Sequence, residues 1–126
     1  MVDDLAFDGG LTCALECADL SQSIRWYAET LGFDLVYRVD EIGWCELSTS
    51  VDRVRLGLSQ VESPQTRGGA TLTFGVSSVD HARRLLESRG VLFDGETIEH
   101  PGMVRLATFF DPDGNKLMVY QDLSPQ

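Results

Sequence analysis

The chain has 126 residues, 43% of them apolar, with 20 acidic against 10 basic side chains and a formal charge of −10. That length suits one domain with a core of its own. The charge disfavours nucleic acid and anionic membranes, whose phosphates attract Lys and Arg. No apolar run reaches the roughly 20 residues that a membrane helix needs. The acidic start MVDDLAFDGG predicts no export signal, so a cytoplasmic protein is expected.

In chain order, residues 1–10 read as a loose leader. Leu11–Ala18 alternates, with Leu11, Cys13, Leu15 and Cys17 on the apolar face and Thr12, Ala14 and Glu16 on the other. Asp19 or Ser21 can cap a helix whose stripe is Leu20, Ile24, Tyr27, Ala28 and Leu31, and Gly32 stops it. Three strands follow, over Asp34–Val39, Trp44–Ser48 and Arg53–Ser59. Glu62–Gly69 is a polar linker.

The pattern then restarts. Thr71–Val76 alternates, Ser78 or Asp80 caps a helix carrying Val79, Ala82, Leu85 and Leu86, and Gly90 ends it. Strands are predicted over Val91–Thr97, Met103–Phe110 and Asn115–Gln121. The last two form a hairpin around Asp111-Pro-Asp-Gly-Asn115, where Pro presets φ, Gly supplies a positive φ and the Asx side chains bond local backbone. Cys17-Ala-Asp-Leu20 aligns with Val76-Ser-Ser-Val79, and Gly32 with Gly90. A strand–helix–three-strand unit therefore occurs twice. Each unit offers one sheet face to its helix and leaves the other semi-polar.

The three cysteines are Cys13, Cys17 and Cys45. Cys13 and Cys17 share a strand, which at about 3.3 Å per residue separates them by roughly 13 Å. A disulfide spans at most about 7 Å, so reduced thiols packed as small hydrophobes are expected.

Asp19-Leu20 followed by Arg25–Phe33, together with Phe110–Asn115, resembles the vicinal oxygen chelate superfamily of glyoxalases, extradiol dioxygenases, fosfomycin resistance enzymes and bleomycin-binding proteins. The resemblance runs from about Leu11 to Gln121. It implies an α+β fold of two βαβββ modules that form a curved mixed sheet around a cleft, with helices on the outer faces. Residues 1–126 then make one domain, with modules over 11–60 and 70–122. It also implies a homodimer.

In the metal enzymes of that superfamily, four side chains on the concave face hold a divalent ion. Those positions fall on Thr12, Gly57, Thr71 and Met118 here, and none suits a divalent metal. No metal and no cofactor are expected. His81 reads as a surface residue, and His100 precedes a turn that could hang over the cleft.

By strand alternation the cleft face carries Thr12, Glu16, Trp44, Glu46, Thr71, Thr73, Met118 and Tyr120, along with the smaller Ala14, Ser48, Gly57 and Gly75. His100, Met103, Phe109 and Phe110 are candidate rim residues. Flat and adaptable apolar groups suit organic ligands. Some glutathione-using relatives carry Arg on the first strand. Glu16 stands there instead, which argues against a glutathione carboxylate and suits a cationic or hydroxyl-rich ligand. Alternatively, Glu16 and Glu46 pair with Arg53, Arg55 or Arg105 and only brace the sheet.

No nucleophile with a base beside it is visible. The favoured reading is a metal-free module that binds a small aromatic or cationic organic molecule. The alternatives are an enzyme of lyase, isomerase or dioxygenase type, working with a metal or by carboxylate acid/base chemistry, and a fold whose cleft is packed shut.

Overall fold

Alternation and helix capping produce the same run of elements twice. The protein is described by a computed structural model covering Ala6, residues 8–68 and residues 70–125. The chain divides into two units that meet in sequence between Ser63 and Pro64. Both are βαβββ modules, and the architecture is α+β.

The first unit runs β1 (Leu11–Cys17), α1 (Leu20–Trp26) with a π-helical turn over Tyr27–Leu31, β2 (Leu35–Val39), β3 (Trp44–Ser48) and β4 (Val54–Gln60). The sheet order is β1-β4-β3-β2, with β1 parallel to β4 and the other pairs antiparallel. Asp19 caps α1 by accepting from the Gln22 N–H at 3.0 Å, and Gly32 closes the helix at φ +76°. The helix packs on β3 and β4. Between them lie Leu20, Tyr27, Phe33, Cys45, Leu47, Leu56 and Leu58, all buried. Tyr27 stacks on Phe33 with ring centroids 6.1 Å apart.

The second unit runs β5 (Leu72–Gly75), α2 (Val79–Ser88), β6 (Ile98–His100), β7 (Val104–Phe110) and β8 (Lys116–Asp122), in the order β5-β8-β7-β6. Ser78 caps α2 by accepting from the His81 N–H at 3.1 Å. The core holds Val79, Leu86, Val91, Ala107, Phe109, Leu117 and Val119. In the β7–β8 turn, Asp111 Oδ1 accepts from the N–H groups of Asp113 and Asn115, and Gly114 sits at φ +93°. This is the Asx-and-glycine turn the sequence predicts.

One glutamine in each unit was not foreseen. Gln60, at the end of β4, accepts the Leu20 N–H through Oε1 at 2.8 Å. Gln121, on β8, accepts the Val79 N–H at 3.0 Å. Each binds a donor at the start of its helix that has no partner within the helix.

Several expectations are corrected. The predicted strand over Val91–Thr97 is replaced by the short β6 and an isolated bridge between Phe93 and Phe109. Gly95 turns the chain at φ +78° and interrupts the pairing with β7, and the Arg83 guanidinium binds Gly95 O and Thr97 Oγ1. On the first helix the buried line is Leu20, Ser23, Tyr27 and Thr30, rotated from the predicted stripe so that Ala28 is exposed. On α2, Leu85 is 41% exposed.

Candidate functional site

In each unit the helix covers one sheet face, and the residues of opposite parity stand on the other. Cross-strand register shows which of them are neighbours. In the first unit Thr12 lies beside Arg55, Ala14 beside Gly57 and Glu16 beside Ser59. On the next strand Glu46 opposes Gly57, Ser48 opposes Arg55 and Trp44 opposes Ser59. Thr12, Glu16, Trp44 and Glu46 therefore share one face, as the alternation predicts.

Gly57 is not open space. A Cβ built on it would lie 2.2 Å from Trp44 Cη2 and 2.6 Å from Cζ2. The six-membered ring of the indole occupies the room that a side chain at position 57 would need. The glycine is the seat of the indole.

Trp44 and Glu46 are joined through a residue the sequence did not single out. Tyr37 on β2 lies opposite Glu46. The Trp44 Nε1–H donates to Tyr37 Oη at 2.9 Å, and the Tyr37 hydroxyl donates to Glu46 Oε2 at 2.7 Å. Arg55 Nη1 donates to Glu46 Oε1 at 3.3 Å. The Glu46 side chain is only 13% exposed, so its charge is met by a guanidinium and a phenol. The bond to Glu46 favours the protonated phenol and holds Tyr37 above its ordinary pKa.

The same face borders a hollow of about 440 Å³, lined by Asp8, Leu11, Thr12, Glu46, Arg53 and Arg55. Arg53 adopts a positive φ of 61°, and its guanidinium binds the Asp8 carbonyl, which ties the segment before β1 to β4. Behind the sheet, Cys45 is fully buried, and burial pushes its thiol up to about 11. It is not a nucleophile at neutral pH.

In the second unit Thr73, Met118 and Thr108 oppose one another across β5, β8 and β7, and Gly75, Tyr120 and Leu106 form the next row. Thr71 lies just before β5 and is exposed. Its carbonyl accepts the Thr73 hydroxyl at 3.2 Å. A Cβ on Gly75 would lie 3.1 Å from both Cζ and Oη of Tyr120. A ring thus covers a glycine in this unit too. His100 pairs with Val104 and so takes the parity of this face. Phe109 was a rim candidate, but it is fully buried on the helix side against Phe93, because β7 turns Ala107 and Phe109 inward.

The positions that the resemblance would give to a metal are Thr12 and Gly57 in the first unit and Thr71 and Met118 in the second, which offer two hydroxyls, no side chain and a thioether. No group of three or more His, Cys, Asp or Glu that could hold a metal ion occurs among the described residues. With the Trp44 ring over Gly57, no ligating side chain can be supplied there. These residues do not fit a divalent ion.

What the chain is similar to agrees with this architecture. The model of the Glyoxalase/Bleomycin resistance protein/Dioxygenase superfamily matches residues 11–119. Among solved structures, a member of that superfamily from Sphaerobacter thermophilus DSM 20745 aligns with a TM-score of 0.79 at 21% identity, covering 93% of this chain and 99% of the other. An antibiotic binding protein from Streptomyces sp. CB03234 aligns with a TM-score of 0.74 at 27% identity, covering 93% and 98%. A genomically encoded fosfomycin resistance protein from Listeria monocytogenes aligns with a TM-score of 0.75 at 17% identity, covering 91% and 93%. No match was found among curated proteins.

Proposed function

The chain belongs to the Glyoxalase/Bleomycin resistance protein/Dioxygenase superfamily, and we propose that it takes up a small aromatic organic molecule on the semi-polar face of its first sheet without a metal. The observation that carries this reading is the Trp44 ring over Gly57. Where a metal enzyme would need a coordinating side chain, this face presents an indole fixed by a hydrogen bond. Such a ring is a rigid, amphipathic contact for flat ligands. On the same sheet face Thr12 and Glu16 supply further hydroxyl and carboxylate contacts. The antibiotic binding protein at 27% identity supports capture of an organic molecule rather than its conversion.

An aromatic ligand is favoured over a cationic one. Glu46 is already matched by Arg55 and Tyr37, and a cation would have to displace both. We also propose that the protein is a homodimer, which analytical ultracentrifugation would test.

Binding is tested by titrating the protein with a panel of neutral and cationic aromatics, bleomycin included, while following tryptophan fluorescence. We expect saturable quenching by at least one neutral aromatic, abolished in Trp44→Phe. No saturable change across the panel would refute the reading. Saturation that persists unchanged in Trp44→Phe would place the ligand elsewhere.

A further inference from the structure

We propose that Tyr37 is the positioning residue of the Trp44 face: its hydroxyl fixes the indole over Gly57 and so selects the aromatic molecules that the face accepts. The inference rests on the reading that this face binds an aromatic ligand. It adds the residue on which selection depends.

Three constraints act on the indole. Gly57 gives it a seat that any Cβ would close, since the ring lies 2.2 Å from where that atom would stand. Tyr37 Oη accepts its N–H at 2.9 Å. Tyr37 is itself held, because its own proton is donated to Glu46 Oε2 at 2.7 Å. Every donor in the chain points toward Glu46: Trp44 donates to Tyr37, Tyr37 donates to Glu46, and Arg55 donates to the other oxygen of the same carboxylate. With its proton committed to Glu46, the phenol oxygen is free to accept from the indole. A phenylalanine at position 37 could fill the same space but could not accept.

The backbone supports the assignment. Tyr37 opposes Glu46 in unbroken register with Arg38 against Cys45 and Val39 against Trp44, and the register shifts only beyond it, toward Leu35. Tyr37 remains 39% exposed, so the phenol ring also borders the surface on which a ligand would lie. A molecule that brings its own donor to Glu46 competes with Tyr37 and loosens the indole. A flat molecule without such a donor leaves the chain intact. Tyr37 therefore tilts selection toward neutral aromatics.

The test uses the full ¹⁵N-labelled chain, whose two tryptophans give two indole N–H signals, assigned with Trp44→Phe. In Tyr37→Phe without ligand, the Trp44 signal should move upfield and exchange faster with water. Affinity for a neutral aromatic that quenches Trp44 should fall about tenfold, the usual cost of one lost hydrogen bond of this kind. An unmoved Trp44 signal overturns the proposal, and so does a moved signal with unchanged affinity. If Tyr37→Phe does not fold, Gly57→Ala displaces the indole from its other side with Tyr37 intact. The same shift and loss are then expected, and an unchanged Trp44 signal or affinity overturns it. The ligand-free signal judges the Tyr37–Trp44 bond by itself. Failure of every aromatic to bind would refute the binding reading separately.

Discussion

Both units set an aromatic ring over a glycine on the neighbouring strand, but they hold it differently. In the first unit the Trp44 ring lies where a Cβ on Gly57 would be, and its nitrogen is bonded to Tyr37. In the second unit Tyr120 is 38% exposed and stands farther from Gly75. No hydrogen bond from Tyr120 to another described side chain accompanies it. The contrast separates a ring held by a hydrogen bond as well as by packing from one held by packing alone. Rigid, preorganised surfaces bind with less entropic cost, so the first unit is where selection is expected.

Adding a methyl group to each glycine tests the contrast directly. Gly57→Ala should destabilise the protein by about 1–3 kcal/mol, the usual cost of overpacking, because ring and backbone must part. Gly75→Ala should change stability by no more than about 0.5 kcal/mol, since an exposed ring can swing away. Urea unfolding measures both, and equal effects would erase the distinction.

The paired glutamines give a comparison in which the units should agree. Gln60→Ala and Gln121→Ala each leave a helix-start N–H without its side-chain acceptor. Each should cost about 1 kcal/mol by the same unfolding assay.

Alkaline pH probes the Tyr37 network more gently. The folded pKa of Tyr37 is raised above its unfolded value of about 10. Its contribution is therefore complete below that value and is lost as pH rises through the folded pKa. The stability difference between the native chain and Tyr37→Phe should stay level up to about pH 10 and shrink above it. A difference that is already changing near neutrality would contradict the Tyr37–Glu46 bond. The smallest effect concerns the thiols. Cys13 is half-buried, whereas Cys17 and Cys45 are fully buried. With its thiol at about 11, Cys45 carries on the order of a thousandth of its population as thiolate at pH 8. Alkylation at that pH should label Cys13 first.

How much of this could be read from residues alone follows from which interactions are local. The duplicated unit, the helix caps Asp19 and Ser78 and the Asp111–Asn115 turn are set by spacings of a few residues, and all are present. Strand parity also placed Thr12, Glu16, Trp44 and Glu46 on one face. Tyr37 was missed because its role is a side-chain bond to Trp44 and Glu46 across the hairpin, which shows only once the β2–β3 register is known. The contact between Trp44 and Gly57 is diagonal in the ladder, and a glycine reads as empty until the register is known. The Val91–Thr97 strand failed because Gly95 turns the chain at φ +78° just after the single bridge from Phe93 to Phe109. Gln60 and Gln121 look like ordinary strand ends until the helix start is brought against them.

Capture without a metal is the property of this face most open to trial. A neutral aromatic that quenches Trp44 should be titrated calorimetrically into protein stripped with a chelator, and again after adding Zn²⁺, Mn²⁺, Ni²⁺ or Fe²⁺. The same affinity is expected in every case, with no stoichiometric metal retained. Binding that appears only with a divalent ion, at one ion per chain, would contradict metal-free capture.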